Sequence, residues 1–479
     1  MLFNSIEFAI FLPIVFLLYW FAFAKNLKLQ NLFVVIASYV FYGWWDWRFL
    51  ILIAFTSFCS WGSGLLIDRY KETPRKAKAV SVLNIVFNLL ILGIFKYYDF
   101  FVGSFADVFL GGKREGLLLN IILPVGISFY TFQALSYSID VYRRKMKPTK
   151  DVVQFFAFVS FFPQLVAGPI ERATNLLPQF EKPRKFDYDL AVDGLRQMLW
   201  GLFKKMVVAD NCAVYVNRVF PDFASQSGST LVLGIVLFAI QLYCDFSGYS
   251  DIAIGTAKLF GIRLMRNFNN PYFATSFADY WKRNHISLTT WFMDYVYYPM
   301  IGTSDKLAYW NLCMIVTFLL SGLWHGAGWT FVLWGLYQGI FIVISMNSAK
   351  GRKRFEKKHG FKNNKAYEWV SRLVTFMIIC IGLILFRAES LSQAWGYFSG
   401  ILGNGLFSIP WLDTRHYYIP VLASITVLFV VEWLQRNKEH ALDLRGVKSH
   451  VVKFGIYYLL VAALFWFGGH AESFIYFQF

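Results

Sequence analysis

The chain has 479 residues, of which 57% are hydrophobic, 20% are aromatic and only 16% are charged, and its mean hydropathy is +0.47. This composition excludes an ordinary soluble enzyme and predicts a protein built from membrane-spanning helices. The net charge of +17 resides mainly in loops between apolar runs, which fits membrane topology and contact with anionic lipid and argues against nucleic acid as a partner.

Apolar segments follow one another along most of the chain, and several approach the ~20 residues that a helix needs to cross a bilayer. The clearest cover residues 8–24, 31–43, 49–66, 79–97, 229–244, 310–323, 327–345, 369–386, 417–433 and 452–468. We therefore expect an all-α, polytopic membrane bundle with about ten to thirteen membrane segments. No long polar block interrupts the chain, so we expect residues 1–479 to form a single membrane domain.

Basic loops set the expected orientation of these segments. Five Lys or Arg residues lie in 68–78, five in 142–150 and eight in 350–365, which places these loops in the cytoplasm by the positive-inside rule. Between the first two loops the chain crosses the membrane twice, at 79–97 and 116–137. This even number of crossings returns it to the cytoplasm, as the basic loops require. Both chain termini are then expected on the extracytoplasmic side.

One apolar segment breaks this parity. Residues 151–167 are the only apolar piece between two basic stretches, and they contain Pro163 and are followed by Gly168 and Pro169. Proline and glycine interrupt helices, and irregular backbone survives at membrane depth only when it is buried in protein or lines a cavity. We therefore expect re-entrant or broken helices around a central tunnel.

Residues 241–299 are too polar for a simple lipid-facing helix. Polar side chains that lie this close to apolar spans are costly unless they face a water-filled or protein-lined interior. The working surface is therefore expected here, and the polar residues of this stretch include Asp245, Asp251, Asn267, Asn269, Arg283 and His285.

A histidine, His325, lies in the apolar run SGLWHGAGWTFVLWG. It could be a structural residue that is hydrogen-bonded in a helix-packing interface. Alternatively, a neutral imidazole between glycines and tryptophans suits general-base work on a hydroxyl group. Besides His285, the remaining histidines are expected to be solvated in polar loops (His359, His416, His440 and His450) or to lie near the C-terminal end (His470).

Several enzyme classes lack support in the sequence. There is no GxSxG elbow, no HExxH zinc pair and no phosphate-binding GxxxxGK[ST] loop, so a serine hydrolase, a zinc protease and a P-loop ATPase are not indicated. The five cysteines are scattered without CxxC spacing, which argues against a disulfide framework or a zinc cage. No metal site is expected.

The run around His325 resembles the histidine signature of the membrane-bound O-acyltransferase family, and in particular its bacterial alginate O-acetyltransferase-like branch. Other matching stretches occur in the family's order over most of the chain. They are MLFNSIEFAIFLPIVFLLYW at the start, LPVGISFYTFQALSYSIDVYR (123–143), FFPQLVAGPIER (161–172), YCDFSGYSDIAIGTAKLFGI (243–262), NFNNPYFATSFADYWKRNHISLTTWF (267–292) and LFRAESLSQAW (385–395).

The resemblance implies two catalytic positions. Its catalytic histidine falls on His325 and its second signature histidine on His285. The chain departs from the branch at Asn284, where an aromatic residue is usual, and at Met293, where a basic residue is usual. A third departure is the YYPMIGT stretch, where the branch tends toward Leu-Gly-Gly. These departures bear on specificity more than on reaction class.

The implied reaction moves an acetyl group from a cytoplasmic thioester such as acetyl-CoA toward an exported or cell-surface polysaccharide. In it, His325 would accept the proton of the attacking hydroxyl, and His285 would orient the donor or stabilise the oxyanion. Other residues are expected to bind donor or acceptor: Asn267, Asn269, Lys282, Arg283, Trp324, Tyr243 and Asp245. No cofactor beyond the thioester is expected.

The same resemblance implies a multi-pass protein of the bacterial inner membrane. Its expected partners are membrane lipid and an extracytoplasmic polysaccharide or acetyl-accepting protein. Three alternatives remain open. One is a D-alanyl or lipid acyltransferase of the same family, and another is a polytopic transporter or flippase, since buried histidine and broken helices are also expected of transporters. The third is a structural scaffold in a secretion complex.

Overall fold

The computed structural model describes residues 1–114, 116–361, 363–403, 405–411, 415–468, 472, 474 and 475, without the side chains of 415–417. Every regular element within these ranges is a helix. The helices of the first part are α1 Ile6–Leu17, α2 Leu27–Gly43, α3 Phe49–Arg69, α4 Pro74–Leu92, α5 Tyr98–Phe109, α6 Ile127–Tyr142, α7 Val152–Ser160, α8 Phe162–Leu165, α9 Ala173–Glu181 and α10 Tyr188–Leu202.

The second part continues with helices of very different lengths. They are α11 Asp210–Val219, α12 Gly228–Leu259, α13 Phe277–Arg283, α14 Ile286–Phe292, α15 Tyr298–Ile301, α16 Leu307–His325, α17 Trp329–Asn347, α18 Ala349–Lys358, α19 Lys365–Arg387, α20 Leu391–Ile401, α21 Arg415–Leu434 and α22 His450–Phe467. Wider π-helical turns occupy Leu18–Ala22, Gly93–Tyr97, Phe203–Ala209 and Met293–Tyr297, and short 3₁₀ turns occupy Phe223–Ser225 and Pro271–Phe273.

Polar caps start several of these apolar helices. The side chain of Asn26 accepts hydrogen bonds from the backbone N–H groups of Lys28 and Leu29 at the start of α2. Asp151 does the same for the first N–H groups of α7. Because the first turn of a helix has no intrahelical partner for its N–H groups, these caps fix where each apolar run begins to be helical.

Among the residues that the structure describes, seven helices are long and apolar enough to cross a membrane, and three shorter apolar helices accompany them. This confirms the predicted all-α, polytopic membrane fold. The long ones are Phe49–Arg69, Pro74–Phe109, Gly228–Leu259, Leu307–His325, Trp329–Asn347, Lys365–Arg387 and His450–Phe467.

Three sequence predictions differ from the structure. The crossing expected at 116–137 is a helix only from Ile127 onward, because Pro124 and the left-handed Gly126 (φ +75°) precede it, and nearly all of α6 is buried. The basic segment 350–365 is not only loop, since it contains most of α18. The apolar run 229–244 extends as helix to Leu259, so the polar stretch after it begins on a helix.

The predicted break near Pro163 is confirmed. Helix α7 ends at Ser160, α8 lasts only from Phe162 to Leu165, and the chain then leaves helical geometry until Ala173. The turn is buried, and the Nε2–H of Gln164 donates to the carbonyl of Phe158 at 2.8 Å. Burial of this irregular backbone in protein satisfies the requirement that it be shielded from lipid; a central tunnel stays a prediction.

The chain divides into two compact units, each made from two stretches of sequence. The first contains Met1–Met198 and Tyr249–Met265, and the second contains Leu199–Gly248 and Arg266–Phe479. Helix α12 contributes its beginning to the second unit and its end to the first. This division into compact units does not test the prediction that residues 1–479 form a single domain, which stays a prediction.

Aromatic side chains form the core of the first unit. The ring of Phe3 lies 5.6 Å from that of Phe41 and 4.8 Å from that of Tyr249. Phe162 of the broken helix lies 5.6 Å from Phe41. Aromatic rings at such separations contribute attraction beyond the burial of their area, so this cluster fixes the N-terminal segment and the break at Phe162 to each other.

In the second unit, glycines allow α16 and α17 to pack at close range. A Cβ placed on Gly335 of α17 would lie 2.5 Å from the carbonyl oxygen of Phe318 on α16, and one on Gly339 would lie 2.9 Å from the Cα of Ile315. Small residues let membrane helices bring their backbones together, which is a main source of their packing energy. This hairpin carries His325 at its turn.

The substitution Gly335→Ala should lower the melting temperature of the purified protein, because overpacking of this kind costs about 1–3 kcal/mol. Thermal unfolding in detergent measures the effect. Gly62→Ala is the matched control, since Gly62 lies in spanning helix α3 and a Cβ there meets nothing within 4 Å. Equal melting temperatures for the two variants would contradict the close-packed hairpin.

Candidate active site

His325 is the last residue of α16, where the chain turns toward α17. Gly326 leaves the helix with extended backbone (φ −157°, ψ 147°), and its N–H still donates to the carbonyl of Gly322 at 3.3 Å. Gly328 is the N-cap of α17. Of the glycines near His325, Gly326 accommodates the ring of Phe331 rather than a ligand, because a Cβ there would overlap that ring.

The imidazole of His325 lies in an aromatic box. Its ring centroid is 4.9 Å from Trp324, 5.0 Å from Trp334 and 5.4 Å from Phe386, each in an edge-to-face arrangement. Only 4% of His325 is exposed. Rigid rings on three sides hold the imidazole in one orientation and exclude bulk water from it.

The Nε1–H of Trp334 is buried and has no hydrogen-bond partner among the described residues. A buried donor left without a partner costs about 1–3 kcal/mol, so such groups are rare in packed interiors. This donor belongs to a ring that touches His325. Sequence reasoning missed Trp334, because tryptophan is frequent in this chain and nothing in its spacing marks this one.

His285 precedes α14 and has left-handed backbone (φ 46°, ψ 51°). This region costs a non-glycine residue roughly 1–3 kcal/mol and persists only where surrounding contacts hold it. The neighbouring backbone supplies them, since the N–H of Ile286 donates to the carbonyl of Asn267 at 2.8 Å and the N–H of Asn269 donates to the carbonyl of Arg283 at 2.8 Å. Two segments that are distant in sequence are thereby paired beside the histidine.

Asn267 determines which nitrogen of His285 carries the proton. The Oδ1 atom of Asn267 accepts from the backbone N–H of Ser287 at 3.3 Å and from its hydroxyl at 2.8 Å, and Nδ1 of His285 lies 3.1 Å away. A backbone N–H can only donate, so the atom facing it is the amide oxygen. Nδ1 of His285 is therefore the donor, and Nε2 carries the lone pair.

Burial keeps this ring neutral. His285 lies outside the helices long enough to span a membrane, and desolvation lowers the pKa of its imidazole to about 3. With Nδ1 protonated, Nε2 can accept a hydrogen bond but cannot donate one. The predicted stabilisation of an oxyanion by His285 needs a hydrogen-bond donor, so this geometry favours the other predicted role, that of orienting the thioester donor.

The rings of the two histidines are neighbours in the buried interior. Their ring centroids are 6.4 Å apart, and the ring of Trp324 lies 6.0 Å from that of His285. Both imidazoles and the ring of Trp324 thus belong to one buried cluster. Of the residues singled out from the sequence, the structure brings together His325, His285, Asn267 and Trp324.

The remaining predicted binding residues have other surroundings. Lys282 is exposed. Arg283 is ion-paired with Asp279 at 2.9 Å, and a second nitrogen of its guanidinium group lies 3.5 Å from the carbonyl of Asn269. The Oδ1 atom of Asn269 is buried without a hydrogen-bond partner in the part of the chain that the structure describes, so Asn269 retains an acceptor that a ligand could use.

Tyr243 and Asp245 contact this chain's own polar groups. The hydroxyl of Tyr243 donates to the carboxylate of Glu432 at 2.9 Å. Asp245 is ion-paired with Lys205 at 2.7 Å and accepts from the N–H of Ile475 at 2.7 Å. Binding of donor or acceptor by Tyr243 and Asp245 stays a prediction, and the contacts seen here are structural.

Lys205 is the centre of a buried ion cluster. Its ammonium group lies 2.8 Å from Asp210 and 2.7 Å from Asp245, and it donates to the carbonyl of Glu472 at 3.0 Å. Sequence reasoning missed Lys205, Asp210 and Glu432. Their signal was present, since a charged residue inside an apolar run marks a buried partner.

This cluster supports the wall of the histidine site. The residue after Asp245 is Phe246, whose ring lies 4.5 Å from that of His285 and 5.7 Å from that of Phe474. Lys205 and Asp245 bind the backbone on either side of Phe474. The ion cluster therefore holds two aromatic residues in place next to His285.

The other histidines differ in surroundings. His359 and His450 are exposed, as predicted, but His440 is buried, so the prediction of a solvated side chain is wrong there. Its neighbours Ala441 to Leu444 are buried too, because this loop folds back onto the core. His470 and the side chain of His416 lie outside the described residues. In the described ranges no three ligand-type side chains form a metal cluster; the expectation of no metal stays a prediction.

Comparison with known proteins gives one family. The sequence model of "MBOAT, membrane-bound O-acyltransferase family" matches residues 36–387. The probable alginate O-acetylase AlgI of Pseudomonas aeruginosa is 36% identical over 419 residues, which are 86% of this chain and 77% of that protein.

Two further relatives differ in what their names say they modify. The peptidoglycan O-acetyltransferase of Helicobacter pylori is 32% identical, with 100% of this chain and 98% of that protein aligned. The teichoic acid D-alanyltransferase of Bacillus subtilis is 25% identical over 56% of this chain and 70% of that protein. Similarity to the O-acetyltransferases is thus both higher and more extensive.

The substitution Lys205→Met should strongly destabilise the protein, because it leaves two buried carboxylates without their cation, and breaking a buried ion pair costs about 3–5 kcal/mol. Thermal unfolding in detergent is the measurement. Lys282→Met, at an exposed position, provides the control and should unfold like the unmodified protein. A Lys205→Met protein with unchanged melting temperature would remove the cluster from its structural role.

Proposed function

Because the chain belongs to the membrane-bound O-acyltransferase family, we propose that it transfers an acetyl group from a cytoplasmic thioester, acetyl-CoA, toward an exported or cell-surface polysaccharide. The acetyl group reaches the sugar directly or through an extracytoplasmic partner protein. The observation that carries this proposal is the pair of buried imidazoles of His325 and His285, with ring centroids 6.4 Å apart. The extensive similarity to alginate and peptidoglycan O-acetylating proteins supports the acetyl group over D-alanine.

Family membership makes the chain an O-acyltransferase, which leaves the transporter or flippase interpretation without support. The proposed location is the bacterial inner membrane, with both termini outside the cytoplasm. The basic loops support this orientation, because Lys and Arg concentrate on the cytoplasmic side. The donor then approaches from the side of loop 142–150 and helix α18.

In the proposed reaction, His325 accepts the proton of the acceptor hydroxyl while the hydroxyl oxygen attacks the thioester carbonyl. The tetrahedral intermediate collapses, the C–S bond breaks, and the sulfur leaves with the proton that His325 returns. General-base help of this type contributes typically ~10²–10⁴-fold. The aromatic box supports this role, because it fixes the ring and keeps the site dry.

His285 orients the thioester donor in this proposal. Its Nε2 lone pair accepts a hydrogen bond from a substrate N–H or O–H, since Asn267 occupies Nδ1. The oxyanion needs a donor of its own, and the buried Nε1–H of Trp334 supplies one next to His325. Preorganised donors aimed at the developing charge are a large term in acyl transfer.

The substitution His325→Ala should abolish acetylation while the protein still folds and inserts. Loss of the base predicts a fall of ~10²–10⁴-fold in transfer rate. Two measurements report it: release of free CoA from acetyl-CoA by purified protein with its partners, and the O-acetyl content of surface polysaccharide by mass spectrometry in a complemented deletion strain.

His359→Ala is the matched control, since His359 is exposed and should leave acetylation unchanged. Retained transfer by a folded His325→Ala protein removes His325 from catalysis. Loss of folding supports the structural interpretation of that residue instead. Polysaccharide that loses D-alanyl rather than acetyl esters on deletion of the gene contradicts the acetyl assignment.

The substitution Trp334→Phe keeps an aromatic ring beside His325 and removes the unpartnered N–H. We expect kcat to fall by ~10²-fold, as for the loss of one oxyanion donor, with a small change in KM. Trp281→Phe is the control: Trp281 is equally buried, but its Nε1–H already donates to Gln338 at 3.2 Å. Equal kcat values for the two variants would exclude Trp334 as the oxyanion donor.

A further inference from the structure

An apolar cavity of about 570 Å³ lies in the second unit between helices α12, α19 and α21. Its lining is mostly aliphatic and aromatic and includes Val236, Ile240, Leu373, Phe376, Phe429 and Val430. Apolar walls of this kind bind hydrocarbon and offer little to a polar ligand.

The cavity opens on the surface that faces lipid. Leu373 and Val430 line it and are 58% and 52% exposed, and Leu434 beside them is 73% exposed. Helix α19 is one of the helices long and apolar enough to cross a membrane. The surroundings of the opening are therefore acyl chains rather than water.

One rim of the cavity carries a guanidinium group between two tryptophans. The group of Arg372 lies 4.9 Å from the ring of Trp369 and 5.2 Å from that of Trp433, and all three residues line the cavity. The guanidinium group of Arg436 lies 4.4 Å from the ring of Trp433, one of these two tryptophans. Tryptophan and arginine are typical of the level of lipid headgroups.

The charge at this rim is positive overall. Arg372 is ion-paired with Glu368 at 3.1 Å, while Arg436 donates to the carbonyl of Trp433 and is exposed. Guanidinium groups bind phosphate through paired N–H donors. A phosphate above an apolar cavity is the chemistry of a phospholipid.

We propose that this cavity binds one anionic phospholipid, with an acyl chain between α12, α19 and α21 and the headgroup at Arg372 and Arg436. The apolar interior takes the chain and the two guanidinium groups select the negative headgroup. Glu368 weakens this selection, because its carboxylate competes for Arg372. A bound lipid braces α21, whose Glu432 holds Tyr243.

Native mass spectrometry of the delipidated, detergent-purified full chain tests the proposal. The protein is titrated with phosphatidylglycerol and with phosphatidylcholine of the same chains. One phosphatidylglycerol should be retained per protein, with phosphatidylcholine bound roughly tenfold more weakly, because its phosphate offers the same acceptors but its trimethylammonium group is repelled by the two guanidinium groups. Equal retention of the two lipids overturns the anionic specificity.

Leu373→Trp fills the cavity and should abolish this retention. Val370→Trp is the matched control, because Val370 lies one turn away on α19, is also 58% exposed and does not line the cavity. Retention by Leu373→Trp equal to that by Val370→Trp overturns the site.

Changes at the rim separate headgroup recognition from chain binding. Arg436→Gln, at an exposed position, should reduce the preference for phosphatidylglycerol, and Arg372→Gln should reduce it further. Glu368→Gln should increase it, since Arg372 is released. A preference unchanged in all three variants overturns the role of the arginines, and saturation by detergent alone in every variant overturns the lipid itself.

Discussion

The amide oxygen of Asn267 is the contact on which the geometry of the site depends. It accepts from the backbone and the hydroxyl of Ser287 and from Nδ1 of His285. Because one of these donors is a backbone N–H, the orientation of the amide is fixed, and with it the tautomer of the histidine. The same contact stabilises left-handed backbone that would otherwise be unfavourable for His285. Orientation, protonation and backbone conformation therefore come from a single side chain.

The low dielectric constant of the protein interior explains the ion cluster around Lys205. A lone ammonium or carboxylate group in such surroundings is costly, and its partners must be close and numerous. Lys205 meets this condition through Asp210, Asp245 and the carbonyl of Glu472. Since Asp245 also binds Ile475, the segment around Phe474 is attached to α12 beside Phe246. The wall next to His285 thus depends on charges that do not touch substrate.

The sequence predicted the helical membrane fold because hydropathy over ~20 residues is a local property. It also predicted the break at Pro163, which depends on the covalent chemistry of one residue type. The sequence-based prediction began the helix of the crossing at 116–137 too early, because hydropathy contains no information about the left-handed backbone of Gly126. It ended the segment at residue 244 too early, since Asp245 is polar but satisfied by a lysine 40 residues away in sequence.

Partners distant in sequence account for what was missed at the site. The resemblance supplied His325 and His285, and their proximity agrees with it. The pairing of Asn267 with a histidine 18 residues later and the burial of the Trp334 N–H, which has no hydrogen-bond partner in the described part of the chain, exist only in three dimensions. Helix α12 adds a mechanical consequence: with 32 residues at 1.5 Å each it is about 48 Å long, against about 30 Å of hydrocarbon. The helix must therefore tilt or extend into the headgroup region. The thickness of the surrounding bilayer thus sets the tilt of the helix that carries Tyr243 and Asp245.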